Sequence, residues 1–282
     1  MSNITKALYE PDINEIGGKY YDFSPKNNPS FVQTAAELKA LGIKNFYFML
    51  EIKNPEVLYF NPFSPSLSRE QMEKIMIEAK QNLWYFARCL VRLRTDAGLK
   101  HFELHRGLCA AIWGATKGFD WCLCEPRQTW KTSGTIGTII LWAFQFSQNL
   151  NIHFFGKDNE NTKRNLAILR DDIDLLPPFL QFKSYKNEYG KVKQTRQSTE
   201  ILMNELMHNN LTIHSKANNE SSAMQKARGA SAAIMYFDEI EFTPFFDIIL
   251  ANSAPTFKQA ADNATKVGNP KGRYFTTTPQ GQ

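Results

Sequence analysis

Glu125-Pro126-Arg127-Gln128-Thr129-Trp130-Lys131-Thr132-Ser133 lies between two apolar runs, Trp121-Cys122-Leu123-Cys124 before it and Ile136 to Phe146 after it. The first run has the length of a short strand and the second that of a helix. A strand, a tight loop closing on Lys-Thr and then a helix is the arrangement of a P-loop. Its amides and helix start face an anion, its lysine reaches the outer phosphates, and its hydroxyl binds magnesium. The usual six-residue frame requires glycine at 125 and 130, where this chain has Glu125 and Trp130. Alone, the segment is a partial match.

Two later stretches complete it. Ala232-Ala233-Ile234-Met235-Tyr236-Phe237-Asp238-Glu239 is an apolar run ending in two acids, the pattern of a buried parallel strand that carries carboxylates to the sheet edge. Gly272-Arg273-Tyr274-Phe275-Thr276-Thr277-Thr278-Pro279 reads as another strand, ending in hydroxyls and stopped by proline. Three strand ends bearing Lys-Thr, Asp-Glu and Thr-Thr-Thr are expected to converge at the carboxyl edge of one sheet, where open α/β sheets bind ligands.

With these segments in place the sequence resembles the large terminase subunit of tailed bacteriophages, the ATPase that packages DNA. Pro126-Arg127-Gln128-Thr129-Trp130-Lys131-Thr132 is similar to that family's phosphate loop except at Trp130, where glycine is expected. Phe237-Asp238-Glu239 resembles its second ATPase motif, and Thr276-Thr277-Thr278-Pro279 its coupling motif. Asn82-Leu83-Trp84-Tyr85-Phe86, Leu175-Leu176-Pro177-Pro178-Phe179-Leu180 and Ala227-Arg228-Gly229 are smaller echoes in the same order. The resemblance spans residues 70 to 281. Each motif is common by itself; the ordered set is specific.

The resemblance implies an α/β fold, a P-loop NTPase with a mainly parallel central sheet flanked by helices, and an N-terminal helical and irregular region. The domain reading is 1–66 irregular, 67–100 a helical linker, and 101–282 the ATPase domain. ATP and Mg2+ are the implied cofactors. Nucleotide contacts fall on Arg127, Gln128, Thr129, Trp130, Lys131, Thr132 and Ser133, with magnesium on Thr132 and Asp238. Glu239 is the expected catalytic group that orients and deprotonates the attacking water. Arg127 is a candidate arginine finger in cis and Arg228 one acting on a neighbouring subunit; each could equally tie loops together. Thr276, Thr277 and Thr278 would sense the γ-phosphate, a role compatible with ordinary strand propensity.

Trp130 leaves two alternatives: a wider loop with the ring outward, or weakened nucleotide binding, because glycine takes φ > 0 freely and tryptophan does not. Upstream, Phe102-Glu103-Leu104-His105-Arg106 occupies the place of an adenine contact, with His105 or Arg106 as the candidates or else surface groups. The basic segment 183–199, with Lys183, Lys186, Lys191, Lys193 and Arg196, is a solvated loop or a contact to DNA phosphates.

Implied partners are double-stranded DNA, a portal protein, a small terminase subunit and further copies of the chain in a ring on the portal. Large terminases continue into a ribonuclease H-like nuclease, and this sequence stops at Gly281-Gln282 after the coupling motif. Nuclease activity is therefore not expected from this chain alone, and a complementing C-terminal fragment is. A P-loop helicase or other nucleic-acid translocase shares the Lys-Thr and Asp-Glu pairs. An inactive half that needs its complement is the third reading.

Composition sets outer bounds. The 282 residues are enough for a substantial core, and 43% hydrophobic with 22% charged is ordinary for a globular protein. The net charge of +5 is compatible with a nucleic-acid partner without singling one out. No run of about 18 apolar residues occurs, so no membrane association is expected. The start Met1-Ser2-Asn3-Ile4-Thr5-Lys6 lacks the form of a signal peptide. Cys89, Cys109, Cys122 and Cys124 lack a second cluster for zinc and are expected to be reduced and buried, in the cytoplasm of a phage-infected bacterium. Ser68-Arg69-Glu70-Gln71 has capping-box spacing and predicts a helix to about Arg94. Its Trp84-Tyr85-Phe86 cluster is core packing or a platform for bases.

Overall fold

The computed structural model describes residues 54–95, 98–101, 106–182, 184–186, 192–194, 201–228 and 231–279. It divides into two compact units, Met1–Ala110 and Ala111–Gln282. Most of the N-terminal region, His105 and much of the basic segment lie outside the described residues.

In the first unit, Ser68 and Gln71 form the expected capping box: the Ser68 hydroxyl accepts from Gln71 N at 3.2 Å and Gln71 Oε1 from Ser68 N at 2.9 Å. Helix α1 (Arg69–Gln81) ends sooner than its apolar spacing predicts. Asn82 turns to φ −136°, and its side chain accepts from Tyr85 N, capping a new short helix, α2 (Leu83–Tyr85). Asparagine competes with the helix by such local bonds. A π-helical turn, Phe86–Leu90, follows, and the chain then enters the hairpin of β1 (Arg92–Thr95) and β2 (Gly98–His101). Trp84, Tyr85 and Phe86 are buried, so the cluster is core.

The second unit is built on a six-stranded sheet. After α3 (Arg106–Thr116) come β3 (Trp121–Cys124), the short helix α4 (Lys131–Gly134), a π-helical stretch Thr135–Ile140 and α5 (Leu141–Phe146). Every residue of Thr135–Ile140 is buried, as an apolar helix lying against a sheet requires. Strand β4 (Asn151–Gly156), helix α6 (Asn159–Leu175), and the small hairpin of β5 (Ser184–Lys186) and β6 (Val192–Gln194) follow. Then come β7 (Ile201–Asn204), β8 (Asn209–Ile213), α7 (Glu220–Arg228), β9 (Ile234–Asp238), α8 (Phe246–Lys266) and β10 (Gly272–Thr277).

The sheet order is β3-β10-β9-β4-β8-β7, parallel except for the β7–β8 pair. This is the expected α/β architecture, a mainly parallel central sheet with helices against it. Strand β9 is central and buried along its whole length, as its unbroken apolar run predicts. On one face Phe155, Phe237 and Phe275 stack rank by rank, at 4.7 and 5.2 Å between ring centroids, beneath Phe246 and Ile249 of α8.

The cysteines differ from expectation: Cys122 and Cys124 are free and exposed. They lie on β3, an end strand of the sheet among the described residues, and share its open face, whereas Leu123 on the opposite face is buried. The side chain of Cys109 lies outside the described residues.

Asp172 of α6 is buried, and burial, with Asp171 alongside, pushes its carboxyl from an ordinary 3.8 up to about 8. The folded protein thus keeps a proton that the unfolded chain releases near pH 4. Stability is expected to fall as pH rises from about 4 to about 8. Asp172→Asn should raise the melting temperature by several degrees at pH 8 and leave it unchanged below pH 4; equal shifts at both would remove ionisation as the cause.

Candidate active site

The carboxyl edges of β3, β10 and β9 are neighbours, and each leads into a functional segment. Glu125 N bonds to Thr277 O at 3.2 Å, tying the start of the loop to the end of β10. Within the loop, Thr129 Oγ1 donates to Pro126 O at 2.9 Å. Gln128 and Trp130 both have φ +64°. Trp130, at ψ 15°, sits in the left-handed region immediately before the right-handed turn at Lys131. Such a reversal makes a concave nest of amides suited to an anion. Trp130 therefore adopts the conformation glycine would supply, at a cost of about 1–2 kcal/mol, and its side chain is 47% exposed. The ring is thus turned outward, the side-chain direction that the first alternative requires.

Lys131 is 6% exposed. Its ammonium donates to Thr278 Oγ1 at 2.9 Å and more weakly to Pro126 O at 3.4 Å. Among the described residues it has no carboxylate partner. Thr132 Oγ1 donates to Asp238 Oδ1 at 2.9 Å. Asp238 is wholly buried. Glu239 follows at φ 56°, ψ 53°, a left-handed conformation that carries the chain sharply off the sheet. The half-buried Glu239 carboxylate faces Thr278, whose Oγ1 lies 3.5 Å from Oε1. Thr278 thus stands between Lys131 and Glu239.

The threonines divide by face. Thr276 Oγ1 donates to Asp238 Oδ1 at 2.7 Å and is 2.9 Å from the Tyr236 hydroxyl. Thr277, one residue on, points away, and its buried hydroxyl finds no partner. Burial, and then the Asp238 charge, push the Tyr236 phenol well above its usual range, so it stays a neutral donor. Arg127 and Gln128 are exposed, and Ser133 is half-buried behind Thr132. Arg228 closes α7, but its side chain lies outside the described residues.

Hydroxyl and carboxylate oxygens are the donor type a hard divalent cation takes. Thr132 gives its proton to Asp238 and keeps both lone pairs for such an ion. The described residues hold no group of three or more His, Cys, Asp or Glu side chains placed to bind a metal ion together. Magnesium needs none, since it takes one or two protein oxygens together with substrate phosphates and water.

Two asparagines of α6 that sequence reasoning passed over also reach the site: Asn161 Nδ2 and Asn165 Nδ2 donate to Asp238 Oδ2 at 3.1 and 2.9 Å. Their four-residue spacing puts them on one helix face. That was the available signal, and it is too common to single them out.

No family model and no curated protein matches the sequence. Several solved structures are similar to the chain. The large terminase of a thermophilic bacteriophage is 15% identical over 57% of this chain and 34% of its own, with a TM-score of 0.39. The HK97 bacteriophage large terminase is 14% identical over 72% and 45%, TM-score 0.45. The large terminase ATPase domain of Thermus phage P74-26 is 12% identical over 64% and 67%, TM-score 0.42. The chain therefore spans less than half of the first two proteins.

Proposed function

We propose that the chain is a Mg-ATP-hydrolysing motor subunit, a large terminase that drives double-stranded viral DNA into a procapsid. The observation that carries the ATPase reading is Lys131. A buried ammonium is costly unless an anion accompanies it, and among the described residues Lys131 meets only neutral oxygens, at the mouth of an amide nest. Terminal phosphates supply the missing charge.

In this reading Lys131 holds the outer phosphates. Thr132, oriented by Asp238, would hold magnesium, which neutralises phosphate charge when bound. Glu239 orients the attacking water and takes its proton. Thr278 touches both Lys131 and Glu239, so movement of Lys131 onto phosphate alters the bonding of the catalytic acid. Arg127, exposed beside the loop, is free to stabilise the transferring phosphoryl group in cis; Arg228 remains the candidate in trans.

The ordered motifs carry the packaging part of the proposal, with DNA, portal, small subunit, a ring of copies and a nuclease-bearing fragment as partners in the infected host's cytoplasm. No helix of the described residues is long and apolar enough to cross a membrane. The test is ATP turnover with and without double-stranded DNA, and packaging by procapsids supplied with the complementing fragment. DNA-stimulated turnover with packaging supports the motor. Strand separation without packaging would favour the helicase, and turnover only with the fragment the split half.

Because Trp130 already holds the left-handed turn, Trp130→Gly is expected to change ATP affinity by less than about threefold, or ~0.6 kcal/mol. Titration calorimetry measures this. A gain of tenfold or more would mean that the indole obstructs the phosphates.

A further inference from the structure

The two oxygens of Asp238 are used differently. Oδ1 is shared by hydroxyls, those of Thr132 at 2.9 Å, Thr276 at 2.7 Å and Tyr236 at 3.2 Å. Among the described residues, Oδ2 receives only the amides of Asn161 and Asn165. Both asparagines are buried, at 4% and 0% exposure. The asymmetry is chemical as well as geometric. A lysine or arginine at either position would fix the carboxylate and cancel its charge. An amide fixes it and leaves the whole negative charge to act through Oδ1.

Two further details indicate that these amides are held for the carboxylate. Asn161 Oδ1 and Asn165 Oδ1 are buried without a hydrogen-bond partner. Unsatisfied buried acceptors are destabilising, so an aliphatic side chain would serve packing better. In addition, β4 ends in Gly156, and a Cβ there would collide with Asn161 Oδ1 and approach Thr162 Cγ2 to 3.0 Å. The bare backbone at Gly156 makes room for Asn161 to lie against Asp238.

We propose that Asn161 and Asn165 are positioning residues: they lock the fully charged Asp238 carboxylate so that Oδ1 orients the Thr132 hydroxyl, and thereby set the affinity for magnesium with nucleotide. This rests on the nucleotide reading of the same site. The amides touch neither nucleotide nor metal and act through Asp238. The first turns of α6 thus tune the metal without ligating it.

The test compares ATP binding in excess Mg2+ with binding in EDTA, for the full chain and for Asn165→Leu and Asn165→Asp. Both replacements are close to isosteric; leucine removes the donor, aspartate sets a second acid against Asp238 so that the pair shares one proton, and the two guard against one failing to fold. Outer-sphere partners of metal sites contribute about 10–100-fold. The magnesium-dependent gain in affinity should therefore fall at least tenfold in both variants, in Asn165→Asp because the shared proton takes charge away from Asp238. Affinity in EDTA should stay within about twofold, since phosphate contacts are intact. A lower melting temperature with the magnesium gain unchanged in the variants would overturn the inference and leave the nucleotide reading standing. No magnesium gain in the unmodified chain would overturn both.

Discussion

Lys131→Met is expected to abolish measurable ATP binding while making the nucleotide-free protein more heat-stable. Methionine keeps the unbranched stem and removes a charge that, among the described residues, only Thr278 Oγ1 and Pro126 O attend. Charged hydrogen bonds to phosphate contribute about 1.5–3 kcal/mol each, so the loss of affinity should exceed about a hundredfold. Removing a buried, unneutralised cation relieves desolvation, and apolar replacements of buried charges are often neutral or stabilising. A melting curve and a binding titration on the same sample decide the matter. Lost binding with a lowered melting temperature would mean that the lysine is a structural strut. Retained binding would remove the phosphate loop from the account altogether.

Glu239→Gln should separate binding from turnover. The amide keeps the shape and can still meet Thr278 Oγ1, now 3.5 Å from the carboxylate. It cannot take a proton from water. General-base catalysis contributes about 10²–10⁴-fold, so turnover should drop by about a thousandfold with ATP affinity nearly unchanged. The left-handed backbone at φ 56° should be retained, because glutamine tolerates it no worse than glutamate. Turnover within tenfold of the unmodified chain would exclude Glu239 as base and turn attention to Glu241, exposed two residues further on.

Much of this site was legible before any coordinates. Parallel strands buried on both faces leave apolar runs, and the polar residue that ends each run sits at the sheet edge. That logic placed Lys131, Thr132, Asp238 and Thr276 together. Lateral order was not legible: hydrophobic runs mark β3, β9 and β10 but say nothing of β10 lying between the other two. Asn161 and Asn165 were invisible because, on a mixed helix, a buried amide and a solvated one are written alike. The break at Asn82 was hidden by apolar spacing that continues past it, whereas the side-chain cap on Tyr85 N acts locally and outweighs periodicity. Cys122 and Cys124 were misplaced because burial of a strand depends on its rank in the sheet, which short-range pattern does not encode. Trp130 shows the opposite case, since the fold imposes on tryptophan the turn that the letter glycine would have announced.

The position of β10 has a consequence for how the molecule comes into being. Among the described residues, β3 has no hydrogen-bonded neighbour except β10, although almost the whole unit separates them in sequence. Lys131 meets Thr278 across 147 positions. Contacts so distant form only after the chain has met the entropy of closing a very long loop, and they form late. During synthesis, which runs from the N-terminus at about 5–20 residues per second, β3 and the phosphate loop leave the ribosome long before their partner exists. Strand β10 then acts as a keystone. A nascent chain that stops short of β10 carries the lysine and the acids but not the strand that aligns them, and its site is unassembled.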